Sequence, residues 1–258
     1  MVHNKMSKSF ISYILILNCF CSNSQTIKDS TYYEIEIQKA TNIYNKIVFF
    51  ENKYEEDEED EYQDSIFNYN YKFSQVISKI KFSKDNSLKI KKELSKINVK
   101  MISTNDNLLI ALTWQVFGFY PIPLNSNIII YKNKPTVVSI NGTGDNDYGD
   151  NIGIDKVQKI TLNKKPYYLV FGSNKCGNLC IQETLTMYKV FKDELIKNEY
   201  SFKNGKNKIS DLKFDYLLNQ DIKITPCFKI QGEYVLFPIF NKLKTKLIAY
   251  KKIKISSQ

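Results

Sequence analysis

Two short stretches of the chain hold side chains whose types and spacing suit chemistry. The first, "GTGDNDYGDNIGID", crowds Asp145, Asp147, Asp150 and Asp155 around glycines. Calcium takes several oxygen ligands in flexible geometry, and an Asp-x-Asp turn can aim two carboxylates inward, so Asp145, Asp147 and Asp150 are candidate calcium ligands. The register is not that of an EF-hand, which needs an oxygen ligand followed by glycine where this chain has Gly149 and Asp150. A solvated hairpin loop is the plainer expectation. Two of the same acids are also candidates for a glycosidase pair, which works only at a set carboxyl separation. No cofactor is expected, calcium being the one candidate.

The second stretch, "NKCGNLC", puts Cys176 and Cys180 four residues apart, with Cys227 further along. Redox pairs favour Cys-x-x-Cys at a helix start, where the dipole lowers a thiol pKa. Here the pair lies between strand-like runs. Zinc would need a fourth soft ligand beside the three cysteines, and none is evident. A disulfide is the expected use, because Gly177 and Asn178 allow the chain to turn. Either Cys176 joins Cys180, or one of them takes Cys227; Cys227 otherwise sits as a small apolar residue.

Two missing residue types bound the rest. His3 is the only histidine, all 37 basic residues are lysine, and arginine is absent. Ser-His-Asp and Cys-His nucleophiles and histidine-ligated zinc are therefore excluded once residue 3 is removed. The balance of evidence points away from an enzyme. Nucleic-acid binders use arginine forks on phosphates and guanine edges, so nucleic acid is not an expected partner.

Removal of residue 3 follows from the start of the chain. Lys5 and Lys8 precede a short apolar run, "FISYILILNCF", and Ser22 and Ser24 supply small side chains before Gln25. This pattern predicts a signal peptide over residues 1–24, cleaved before Gln25, and an exported product that is periplasmic, envelope-associated or secreted. Cys19 is an alternative lipidation site, although Asn18 before it is a poor fit to such sites. The run is too short to span a bilayer, and no transmembrane span is expected in residues 25–258. The whole chain carries a formal charge of +10, of which residues 1–24 hold two lysines and no acids, leaving +8. The plain reading is ordinary solvated lysine.

The elements that must position these residues change character near residue 99. Residues 25–98 read as mainly helical: a helix over 26–50, an acidic run over 55–61 and an amphipathic segment from Asp64 with Ile66, Phe67, Phe73, Val76, Ile77 and Ile80 near a 3.6 period. A further helix over Ser87–Ile97 follows, with Ser87 as cap and Leu88, Lys91, Leu94 and Ile97 on one face. Residues 99–258 are short β-branched and aromatic runs separated by Asn, Asp, Gly and Lys, beginning with a hairpin turned by "NDN". Connections this short favour antiparallel pairing. The expected fold is α+β, with N-terminal helices followed by a many-stranded antiparallel β meander, curled or barrel-like, packed as one domain. The aromatic stretch around Trp114 is either buried core or a sugar-stacking platform, and density of aromatics favours core.

The segment "MISTNDNLLIALTW" resembles one found in a group of secreted bacterial proteins and lipoproteins without established activity. Ser103, Asp106 and Trp114 carry the likeness, and "KKPYYLVFGS" is similar to a later strand of that group. The likeness covers mainly residues 60–190. Gln115 and "FGFY" stand where the group has an acid and a Gly-Gly-Thr turn. The resemblance implies export and a β-rich second half.

Together these features predict an exported envelope or secreted protein, a non-enzymatic binding or structural module for an extracellular ligand or protein. The alternative is a carboxylate-dependent hydrolase acting on an envelope polysaccharide.

Overall fold

The structure is a computed structural model. It describes residues 6–57, 59–116, 124–139, 152–175, 180–198, 201–204, 207–209, 211–217, 228–240 and 247–255, with side chains described from Tyr32 onward except at 137–139, 175, 180, 204, 207–209, 214–217, 240 and 247.

Three helices come first: α1 (Met6–Asp57), α2 (Asp60–Ile77) and α3 (Ser87–Ser95). The acidic run over 55–61 therefore straddles the end of α1 and the start of α2, where Asp60 and Glu61 complement the positive end of the helix dipole. In α2 the buried positions are Gln63, Ile66, Asn70, Phe73, Ser74 and Ile77, a stripe at steps of three and four. In α3 the buried stripe differs from expectation. Ile90 and Leu94 are fully buried, Ile97 just beyond continues the line, and Leu88 is 80% exposed. The Ile90, Leu94, Ile97 spacing stays on one side of the helix, whereas Leu88 lies off it. Asn86 occupies the N-cap and Ser87 is already helical, its hydroxyl bonding back to the Ser83 carbonyl.

Fourteen described strands follow, all paired antiparallel. The first sheet is β1 (Lys100–Ser103), β2 (Leu109–Val116), β3 (Leu124–Tyr131) and β4 (Lys134–Ser139), in chain order. The second has β5 (Gly153–Leu162), β6 (Lys165–Lys175) and β7 (Cys180–Phe191), flanked by β11 (Asp211–Leu217), with β8 (Glu194–Lys197) also on β7. The third runs β10 (Asn207–Ile209), β9 (Phe202–Asn204), β14 (Leu247–Ile255), β13 (Tyr234–Phe240) and β12 (Lys229–Gln231). The α+β class with an antiparallel meander is thus observed, as three open sheets among the described residues.

Three hairpins turn on two residues that both have positive φ: Lys132 and Asn133, Asn163 and Lys164, Lys192 and Asp193. Turns of this kind match the right-handed twist of the strands they join, which is why they recur despite the strain of a left-handed lysine.

The apolar side chains explain how the elements stack. In β2, Ile110, Leu112, Trp114 and Val116 pack with Phe73, Ile77, Ile90 and Leu94 of the helices. The alternate residues Leu109 and Ala111 pack with Ile129 and Tyr131 of β3 against Val157, Tyr168 and Val170 of the second sheet. The opposite face of that sheet, Tyr167, Leu169, Phe171, Leu185 and Met187, packs with Phe202, Val235 and Ile253 of the third. The order is helices, first sheet, second sheet, third sheet. Strands buried on both faces read as continuous apolar runs, which accounts for "LLIALTW" and "YYLVF".

Candidate functional site

The facing surfaces of the first two sheets are apolar at one end and polar at the other. Along β2 and β3 the cross-strand pairs on that face are Leu109 with Tyr131, then Ala111 with Ile129, then Thr113 with Asn127, then Gln115 with Asn125. The side-chain period of two keeps all of these on one face. The apolar pairs close against the second sheet. Beside Thr113, Gln115 and Asn125 of the polar pairs a cleft of about 670 Å³ opens.

Each wall of the cleft has an identifiable origin. Helix α1 contributes Tyr44 and Glu51, the turn after α3 contributes Asn98, and β1 contributes Lys100. The second sheet supplies Gly153, Asp155, Ser173 and Asn174. Asn98 has φ of 54°, a left-handed conformation that asparagine tolerates, and its Nδ2 donates to the Tyr44 hydroxyl at 2.6 Å. Burial raises the Tyr44 phenol pKa, the Asn98 hydrogen bond opposes this and Glu51 adds to it, so the phenol stays protonated and keeps its O–H as a donor.

Asp155 owes its place to a backbone irregularity. The β5–β6 register shifts between Ile154, opposite Gly172, and Lys156, opposite Phe171, which leaves Asp155 as the extra residue of a β-bulge. Bulges re-aim a side chain without ending the strand. Here the carboxylate accepts from Lys100 Nζ at 3.1 Å across the gap between sheets and from the Ser173 hydroxyl. Asp155 was grouped by sequence with the glycine-rich loop acids; its place is in the strand, on the cleft wall. The same bulge exchanges the two faces of β5, so that Ile154 and Val157 pack toward the first sheet while Ile160 and Leu162 pack toward the third.

The two layers approach closely beside the cleft. A Cβ on Gly153 would sit 3.0 Å from Asn125 Oδ1, and Asn127 Nδ2 donates to the Ile152 carbonyl at 2.6 Å. Asn127 also lines a smaller recess of about 170 Å³ with Thr184, Thr186 and Asp211. Its Oδ1 is buried without a partner among the described residues.

The residues that carry the resemblance act as architecture. Trp114 is 2% exposed, donates its indole N–H to Asn70 Oδ1 at 2.7 Å and stands edge-on to Phe73, with only its margin at the cleft. This is the core alternative of the two readings given for the aromatics. Asp106 closes the β1–β2 turn, accepting from Thr104 Oγ1 at 2.6 Å and the Leu108 amide at 3.2 Å, and reaches Lys159 of β5 at 2.8 Å. Burial works to raise the Asp106 pKa, but these donors outweigh it and hold the carboxyl below its ordinary value. Burial, followed by the Asp106 charge and Tyr131, pushes the Tyr168 phenol well above its ordinary pKa.

The other candidates singled out by sequence lie elsewhere. Asp145, Asp147, Asp150, Cys176 and Cys227 are outside the described residues. Cys180 opens β7 and Cys19 lies within α1, and the side chains of both are outside the described set. Among the described residues no group of three or more His, Cys, Asp or Glu side chains is placed to hold a metal ion. No described helix is long and apolar enough to cross a membrane. Comparison of the chain with protein-family models, curated proteins and solved structures gives no match.

Sequence reasoning missed the cleft because its residues are scattered over seven elements and the turn after α3. One signal was legible: Thr113, Gln115, Asn125 and Asn127 interrupt otherwise apolar strands at every second position.

Proposed function

We propose that the protein is an exported, non-enzymatic binding module that holds a small polar ligand in the cleft between its first two sheets. The observation that carries this reading is the cleft itself. Most of its polar groups stand on strands, and several are already tied to neighbours: Asn98 to Tyr44, Lys100 to Asp155, Ser173 to Asp155. Polar groups fixed before a ligand arrives give up little freedom on binding. Export is supported by the charged start, apolar run and small residues of 1–24, and by the likeness of 101–114 to secreted proteins. A disulfide among Cys176, Cys180 and Cys227, and calcium on Asp145, Asp147 and Asp150, belong to the same proposal as stabilising additions.

Expression of the full chain in a bacterial host, followed by intact mass of the extracytoplasmic form, tests export. Loss of residues 1–24 is expected, with about two mass units fewer for a disulfide. Retention of the full chain inside the cell refutes export.

A second reading has one observation in its favour: Glu51 and Asp155 line the same cleft, as the two carboxylates of a polysaccharide hydrolase would. Release of reducing ends from a cell-wall polysaccharide, abolished by both Glu51→Gln and Asp155→Asn, would replace binding with catalysis.

A further inference from the structure

We infer that the ligand of the cleft is a neutral, hydroxyl-rich molecule, a saccharide; the inference rests on the binding reading above and specifies it.

The charges on the walls decide against the alternatives. Among the described residues Lys100 is the one lysine at the cleft, and it is matched by Asp155 at 3.1 Å, with Glu51 on the same cleft wall. A phosphorylated or carboxylated ligand would meet no surplus of positive charge, and the chain has no arginine to fork a phosphate. A metal ion or other small cation would meet the Lys100 ammonium already paired with Asp155. A purely apolar ligand would desolvate the carboxamides and hydroxyls of the wall without offering them a hydrogen bond, at a cost for each group.

The polar groups that remain are of one kind. Asn98, Gln115, Asn125 and Asn174 are carboxamides, and Tyr44, Thr113 and Ser173 are hydroxyls. Each both donates and accepts. A sugar hydroxyl does the same, so a ring carrying several of them satisfies such a wall without introducing charge. The volume, about 670 Å³, falls within the range of small-molecule sites. The placement of Gln115 and Asn125 as a cross-strand pair gives two adjacent carboxamides in fixed register on one wall. Asn174 comes from the second sheet and stands across from them, at the position of β6 that pairs with Gln182.

Trp114 is the only tryptophan in the chain and borders the cleft, so its emission reports on occupancy. The full chain is titrated with maltose, cellobiose and chitobiose as neutral probes, with glucuronate and glucose 6-phosphate as anionic ones, and with trialanine as a peptide. Saturable change with a neutral disaccharide is expected, weakened about tenfold by Gln115→Ala and by Asn174→Ala, each of which removes hydrogen bonds worth that factor. Gln115 is exposed, so its truncation leaves the fold in place, and thermal melts of both variants check this. Binding of an anionic probe or the peptide in place of the neutral sugars overturns the ligand class and leaves the binding reading standing. Saccharide binding that neither variant alters overturns the location. Silence with every probe overturns both the saccharide and the binding module.

Discussion

Replacing Asn70 with alanine should weaken the contact between the helices and the first sheet. Asn70 is fully buried on α2, accepts from Trp114 Nε1 at 2.7 Å and donates from Nδ2 to Ser126 Oγ at 3.1 Å. These two bonds tie α2 to both β2 and β3. Alanine leaves the indole N–H, on a residue 2% exposed, without this acceptor. An orphaned buried donor costs about 1–3 kcal/mol, and the lost bond to Ser126 adds about 1 kcal/mol, so a loss of about 3 kcal/mol is expected. For a domain of this size that lowers Tm by roughly 6–12 °C. Urea unfolding of Asn70→Ala, Trp114→Phe and the double variant forms a cycle. Phenylalanine keeps a ring against Phe73 but has no N–H to orphan. It should therefore cost about 1–2 kcal/mol less in the alanine background than in the wild type. Additive costs, or an Asn70→Ala effect below about 0.5 kcal/mol, would show that the indole N–H finds other partners and that the network does not hold the layers together.

Three further changes probe the turns, the close approach and the charges. Gly172→Ala places a Cβ 2.4 Å from Ile152 Cγ2 and 3.0 Å from the Gly153 carbonyl, so β5 must shift; a loss of about 1–3 kcal/mol in urea unfolding is expected. Lys164→Gly relieves a φ of 63° in a two-residue turn and should raise stability by about 0.5–1 kcal/mol, read as a higher urea midpoint. Asp106 has its pKa lowered on folding, so its contribution to stability is present above the unfolded value near ~3.9 and is lost as pH falls through the folded one. Asp106→Asn should flatten the acid limb of the stability profile below about pH 4, and an unchanged limb in the variant would assign that limb to other carboxylates.

The helices and the class of the second half were legible because their periodicities are strong. In α2 the buried positions follow the 3.6 spacing read from the sequence. The α3 face was misplaced because Leu88 and Ile90 both lie in a short helix, and only packing against the first sheet decides which of them turns inward. The strand runs were legible individually, but continuous apolar runs say only that both faces are covered, not by what. Which sheet faces which depends on pairings such as Ala111 with Ile129 and on the contact of that face with Val170, far along the chain. The bulge at Asp155 left no mark in composition. "GIDKVQ" reads as an ordinary alternating strand start, and the one-residue slip shows only against the register of β6.

The ion pairs between the first two sheets are better understood as positioning than as stabilising features. Lys100 and Asp155 keep 53% and 33% of their side-chain surface, and Lys159 and Asp106 keep 39% and 26%. Pairs this exposed contribute about 0–1 kcal/mol each, which is small beside the apolar contacts of Leu109, Ile129, Tyr168 and Val170 between the same sheets. Yet Lys100 with Asp155 stands at the cleft, and Lys159 with Asp106 stands where the β1–β2 turn meets β5. Between them the spacing of two antiparallel sheets is fixed along β1 by one pair at each end, since Lys100 opens that strand and Asp106 follows its last residue by three. A sheet pair held by apolar contacts alone could collapse onto a gap lined by amides. Cross-layer ties at defined points, together with Asn127 on the Ile152 carbonyl, oppose that collapse and keep Asn174 apart from the adjacent pair Gln115 and Asn125, which is what a preorganised polar cleft requires.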